Sequence, residues 1–160
     1  YFQSHGPATL RDFTWWSGLT VRDARAGLEA VRPALSPETI GETTFFSLPS
    51  RAQPSPEGAA HLLPNYDEYL VAYQDRGTPV FPYAGRAASR SDGAFVHHLI
   101  LGGRLVGAWR RTEKSRDVLV EVAPYTRLGR DETRALGAAV DRYGKFIDKA
   151  ASVKILPPRS

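Results

Sequence analysis

Five basic residues fall within thirteen positions of the chain: Arg104, Arg110, Arg111, Lys114 and Arg116, interrupted by one acid, Glu113. A cluster of this kind can pair with several backbone phosphates and release their condensed counterions, and arginine adds bidentate phosphate contacts. The plainer alternative is a solvated strand edge whose charges discourage strand-to-strand aggregation. A second set, Arg22, Arg25 and Arg32, lies on and just after a segment with helical periodicity. Placed as a recognition helix it would read base edges or touch phosphates. Placed elsewhere, Arg22 and Arg25 would only solvate a face they share with Asp23 and Glu29.

Other residue types bound the chemistry further. Cysteine is absent, so disulfides and thiolate zinc sites are excluded. The adjacent His97 and His98 point to opposite faces of a strand and cannot readily share one ion. His61 and His5 supply no ligand spacing, so no metal site is expected. Asp67 and Glu68 are neighbouring carboxylates, the residue type for general acid/base work, but helical neighbours do not share a face. Structural roles fit them better: Asp67 at a helix start and Glu68 paired with an arginine. No glycine-rich phosphate loop, nucleophile elbow or zinc motif is present. Neither a cofactor nor a catalytic residue is therefore expected.

The elements that must position these residues follow from local signals. Thr9 with Asp12, and Thr20 with Asp23, mark the starts of two short helices. Ser17-Gly18-Leu19 separates them, and Pro33 stops the second, whose apolar residues are Val21, Ala24, Leu28 and Val31. Two short helices joined by a tight turn are a helix-turn-helix candidate. Trp15 and Trp16 are adjacent, so one is expected in the core and the other at an interface. Glu42–Leu48 predicts a strand, 51–60 a linker, and Tyr66–Tyr73 a helix capped by Asn65. Gly77 to Gly93 reads as irregular.

Gly102-Gly103 predicts a two-residue hairpin between Phe95–Leu101 and Arg104–Arg110. That register pairs His98 with Gly107 and Val96 with Trp109, and places Trp109 in the core. Val118, Val120 and Val122 line one face of a further strand. Asp131 is expected to cap a final helix with the stripe Leu136, Val140, Tyr143 and Ile147. Near that stripe, Gly137 and Gly144 permit close backbone approach. The tail 151–160 is expected to be extended and loosely held.

The 160 residues are 42% hydrophobic and 24% charged, with a net charge of +4, ordinary values for a globular protein with a leaning toward anionic partners. No apolar run is long enough to span a bilayer, no secretory signal is present, and the chain is expected in the cytoplasm. Tyr1-Phe2-Gln3-Ser4 resembles the end of a tobacco-etch-virus protease recognition site. Residues 1–5 are therefore set aside as an expression-tag remnant, leaving a native segment that starts at about Gly6 like the interior of a longer protein.

Three segments carry a family resemblance: Gly6-Pro7-Ala8-Thr9-Leu10-Arg11-Asp12-Phe13-Thr14-Trp15-Trp16-Ser17-Gly18-Leu19, Leu62-Leu63-Pro64-Asn65-Tyr66-Asp67-Glu68-Tyr69, and Gly103-Arg104-Leu105-Val106-Gly107-Ala108-Trp109-Arg110-Arg111. In order and spacing they resemble the bacterial winged-helix DNA-binding family that includes the AlkZ/YcaQ-type DNA glycosylases, matched from about Gly6 to Ile147. The resemblance implies tandem winged helices with a β-rich element, a double-stranded DNA partner, and a role in unhooking damaged bases. It implies too that this chain is the C-terminal part, with the missing N-terminal part as a further partner. The family's glutamine-x-glutamine pair has no counterpart here: the glutamines are Gln3, Gln53 and Gln74.

The expected fold is α+β. An incomplete winged helix (helix-turn-helix plus strands) at 6–50 is followed by a small antiparallel β-meander and a long C-terminal helix at 61–150. The expected function is phosphate-backbone DNA binding through Arg22, Arg25, Arg104, Arg110, Arg111 and Lys114, not catalytic by itself. The alternative is a protein-interaction or scaffold module.

Overall fold

The computed structural model describes residues 1–49, 58–74 and 97–158. They form two units, 1–49 with 68–74 and 58–67 with 97–158. The Gly77–Gly93 stretch, Val96 and most of the 51–60 linker lie outside the described residues. The fold is α+β, with five α-helices and two sheets among the described residues.

The first unit is organised by caps. It contains α1 (Phe2–His5), α2 (Leu10–Ser17), α3 (Val21–Val31) and a 3-10 turn over Arg32–Ala34. The strands β1 (Ser36–Ile40) and β2 (Thr43–Ser47) follow, and α4 (Glu68–Val71) completes the unit. Thr9 accepts from the Asp12 amide while Asp12 accepts from the Thr9 amide, a reciprocal capping box that satisfies two otherwise orphaned donors. Gly18, at φ +68°, closes α2 in the left-handed conformation that only glycine adopts without strain. Thr20 then caps α3 by accepting from the Asp23 amide, so both helix starts fall where the sequence predicts them.

Ser36–Ile40 gives no clear strand signal because Pro37 lacks a ladder donor. It pairs with β2 as a wholly exposed edge, where proline is tolerated. The predicted Tyr66–Tyr73 helix shrinks to α4, because Tyr66 adopts φ +58° and cannot continue a right-handed helix.

Residues 1–5 belong to this unit's fold, which corrects their exclusion. Phe2 is buried with Ala8, Leu28 and Phe46, and the Tyr1 hydroxyl donates to the Ala72 carbonyl. A short bridge joins Ala8 to Phe46.

The second unit is a five-stranded sheet covered by one helix. Its strands are β3 (Ala60–Leu63), β4 (His97–Leu101), β5 (Arg104–Glu113), β6 (Asp117–Pro124) and β7 (Ala150–Ile155), in that spatial order. The helix is α5 (Arg130–Phe146). The expected antiparallel meander is correct through β6. The tail is not loose, however: β7 lies parallel to β6, so the sheet is mixed. A parallel neighbour needs a crossover connection, and α5 supplies it.

Val118, Val120 and Val122 alternate into the core with Leu99, Trp109, Leu136 and Val140. The α5 cap is Gly129 rather than Asp131, with Glu132 reaching back to the Gly129 amide. Of the two stripe glycines, only Gly144 is needed for close approach: a Cβ there would meet the Ala151 side chain at 2.6 Å and the Lys149 carbonyl at 2.8 Å, whereas one at Gly137 meets nothing within 4 Å.

The hairpin register holds next to Gly102-Gly103, where Ile100 pairs with Leu105, and then slips by one residue. Beyond the irregularity Leu99 faces Gly107, His98 faces Ala108 and Trp109 faces His97. The predicted pairing of His98 with Gly107 is thereby corrected. A bulge inserts an extra residue and exchanges the faces of everything beyond it, and no local sequence signal announces this one.

Candidate nucleic-acid interface

Within the second unit, β5 presents its basic residues in a way the linear cluster conceals. Arg110 and Arg111 are strand neighbours and therefore project from opposite faces of the sheet. Arg110 Nε donates to Glu121 at 2.8 Å, and Lys154 lies 3.4 Å from the same carboxylate. Arg111 Nε donates to Glu113 at 2.7 Å, and Lys149 approaches Glu113 at 3.1 Å. Hydrogen bonds from Lys149 and Arg111 hold Glu113 below the usual carboxylate range, and one from Arg110 does the same for Glu121. Two of the three expected phosphate contacts on β5, Arg110 and Arg111, thus have carboxylate partners already.

Arg104 and Lys114 are separated instead by the length of β5, roughly 30 Å at the rise of an extended strand. Both side chains are exposed and make no ion pair among the described residues. Arg22 and Arg25 belong to the first unit. Both are exposed on α3, whose buried residues are Ala24 and Leu28. The four expected contacts of the second unit therefore do not form one patch.

The middle of β5, around Trp109, carries a more ordered arrangement. The His97 ring lies 4.7 Å from the Trp109 ring, and Tyr143 of α5 packs edge-on against Trp109 at 5.4 Å. The Asn65 amide donates to His97 Nδ1 at 2.9 Å, and Trp109 Nε1 donates to the Leu63 carbonyl at 2.9 Å. His97 thus presents Nδ1 as an acceptor, which places its proton on Nε2. Burial, and then the Arg111 charge, lower its pKa below the ordinary histidine value. Trp109 is a core residue, as expected, and the two bonds anchor the Leu63–Asn65 segment to the sheet.

The tryptophans of α2 are both well exposed, Trp15 at 54% and Trp16 at 45%, so neither is the expected core residue. Their indole N–H groups are nevertheless used: Trp15 donates to the Val71 carbonyl at 3.0 Å and Trp16 to the Glu68 carboxylate. Glu68 also accepts from His5 at 3.1 Å, so its partners are a histidine and an indole rather than the expected arginine. No group of three or more His, Cys, Asp or Glu suited to a metal occurs among the described residues, and no described helix is long and apolar enough to cross a membrane.

Charge separates the two units. Among the described residues, the first unit has four arginines against six carboxylates, and the second has twelve basic residues against eight. Two of those twelve are Arg127, in the short connection from β6 to α5, and Arg130, the first residue of α5. Both are exposed and make no ion pair among the described residues. The expectations from sequence omit them, although two arginines three apart directly before a helix are a legible signal.

The family model for DNA glycosylase AlkZ-like proteins matches residues 1–146. Among solved structures, the chain resembles the Streptomyces sahachiroi DNA glycosylase AlkZ with a TM-score of 0.69 and 22% identity, which shows a shared fold. That match covers 94% of this chain and 42% of the AlkZ chain, so this chain spans less than half the length of that protein. No curated protein matches the chain. A family match that extends over both units places the chain in the AlkZ-like DNA glycosylase family.

Proposed function

We propose that this chain is a DNA-holding portion of a bacterial, cytoplasmic AlkZ-like glycosylase. It grips double-stranded DNA through the phosphate backbone without sequence selectivity, and it lacks the base-excising residues. The observation that carries this reading is the uneven charge: the basic excess lies in the sheet unit, and several of its cations have no carboxylate partner among the described residues. The order of the first unit supports a winged-helix assignment for it: a helix, the Ala8 bridge, α2, a glycine turn, α3, then the β1–β2 hairpin. Of the six expected contacts, Arg22, Arg25, Arg104 and Lys114 make no ion pair among the described residues and keep their charge for phosphates. Arg110 and Arg111 contribute charge but would have to leave Glu121 and Glu113. Gln74, the one glutamine outside residues 1–5 that is described, accepts from Arg11 Nε at 2.6 Å and offers no catalytic pair. Base excision would then depend on residues beyond those of this chain.

Anisotropy of a fluorescein-labelled duplex across a salt series tests this. Binding should weaken linearly on logarithmic axes, with a slope that reports the number of phosphates engaged. An absence of binding at low salt would overturn the reading.

A second reading, a protein-interaction or scaffold role, draws on the first unit. Trp15, Trp16, Leu19, Val21 and Val31 are large apolar residues left exposed on α2, α3 and the turn between them, more than scattered single exposures require. Under this reading the dispersal of the arginines is simply surface charge.

A further inference from the structure

The free cations of the sheet unit fall at its two ends, and the two ends differ in what surrounds them. At one end are the β5–β6 turn and the C-terminal end of α5, with Lys114, Arg116 and Lys145. Three carboxylates share that end, Asp117, Asp141 and Asp148, and none of them makes an ion pair among the described residues. Arg116, Lys145 and Lys149 line the same groove as Asp141 and Asp148. A phosphate arriving there meets repulsion together with attraction.

At the other end are the β4–β5 hairpin turn and the β6–α5 connection. Topology puts both there: β5 starts from the hairpin, β6 runs antiparallel to it, and the Tyr125 amide still donates to the Val106 carbonyl as the chain leaves the sheet. Arg104 is the first residue of β5, Arg127 lies in the connection, and Arg130 opens α5. Among the described residues, the two acids that open α5 are engaged locally. Asp131 pairs with Arg134, and Glu132 accepts from the Gly129 amide. Arg104, Arg127 and Arg130 are exposed and make no ion pair among the described residues. Arg130 does nothing for its own helix either, since the first helical turn favours acids over bases.

We infer that Arg104, Arg127 and Arg130, brought to one end of the sheet by the hairpin and the β6–α5 connection, form the phosphate-contacting rim of this chain. The inference rests on the DNA-holding function and assigns it a place. It moves the main contact away from Arg110, Arg111 and Lys114. Guanidinium groups suit the task because each can donate two parallel hydrogen bonds to one phosphate. No base-specific contact is implied, so binding to unrelated duplexes should respond alike.

The test compares charge-matched triple variants of the full chain. In one, Arg104, Arg127 and Arg130 are all changed to Gln. In the other, Lys114, Arg116 and Lys145 are all changed to Gln. A third variant replaces the rim arginines with lysine, and circular dichroism melting checks that all three fold. With the labelled duplex, the rim Gln variant is expected to lose about tenfold or more in affinity at low salt and about three units of salt slope. The variant of the opposite end should lose less than about threefold, and the lysine variant should keep the slope. Equal losses in the two Gln variants would overturn the rim and leave only general charge attraction. Wild-type binding with an unaffected rim variant would overturn it while leaving the DNA-holding function intact. No wild-type binding would overturn both.

Discussion

The two units of this chain are held together by different means. The N-terminal unit relies on short elements whose ends are tied by side chains: the Thr9–Asp12 box, the Thr20 cap, and the indole bonds that join α2 to the 68–74 segment. Its helix α3 buries little beyond Ala24 and Leu28. The sheet unit relies on a continuous apolar layer between five strands and α5, and leaves its charges at the margins. Acidic residues outnumber basic ones in the first unit, and the reverse holds in the second. The lesson is that the segment whose sequence most suggests DNA recognition, the helix-turn-helix candidate, lies in the unit with the less favourable field. Long-range phosphate attraction follows summed charge rather than motif shape.

The contrast can be broken most severely in the sheet unit. Trp109→Ala removes a buried indole that packs on Tyr143 and His97 and donates to the Leu63 carbonyl. A loss of about 3–5 kcal/mol is expected, read as a lower urea midpoint by circular dichroism. A loss below about 1 kcal/mol would mean that the sheet core does not depend on this residue.

The matching test in the N-terminal unit is Asp12→Ala. Asp12 is buried and accepts from the Thr9 amide, the Thr9 hydroxyl and the Gln74 amide. Losing a cap and leaving a buried donor without an acceptor should cost about 2–3 kcal/mol. Asp12→Asn should recover part of this, because one oxygen still accepts.

Glycine substitutions sharpen the picture of α5. Gly144→Ala forces a methyl against the Lys149 carbonyl and Ala151, and should destabilise by about 1–3 kcal/mol. Gly137→Ala enters open space and should stabilise by about 0.5–1 kcal/mol through helix propensity. Equal effects from the two substitutions would contradict the packing of α5 against the residues that lead into β7.

The smallest expected effect is a pH dependence. The lowered pKa of His97 means the unfolded chain binds its proton more readily than the fold does. Its contribution is therefore present above the ordinary value of about 6.5 and lost as pH falls through the lowered folded value. His97→Asn, which can keep an acceptor for the Asn65 amide, should show a smaller drop in melting temperature between about pH 7 and pH 5. Glu113 and Glu121 titrate below the usual carboxylate range and add their loss at lower pH.

The sequence by itself determined whatever depends on neighbours a few positions apart. The caps at Thr9 and Thr20, the stop after Val31, the glycine hairpin, and the inward face of Val118, Val120 and Val122 all follow from periods and offsets that a chain carries in one dimension. The tail is different: Ala150–Ile155 becomes a strand only because β6 offers a free edge beside it. Residues 1–5 become structural only because Phe2 finds Phe46.

The residues of the candidate interface divide in the same way. Sequence located the basic residues of β5 and put Glu113 two positions from Arg111 on the same strand, while tertiary structure placed Glu121 across from Arg110. It decided also that Arg104 shares an end of the sheet with Arg127 and Arg130 rather than with Lys114. Distance along a strand accumulates at about 3.3 Å per residue, so residues clustered in sequence become separated in space. An antiparallel return brings together residues that the sequence keeps twenty positions apart.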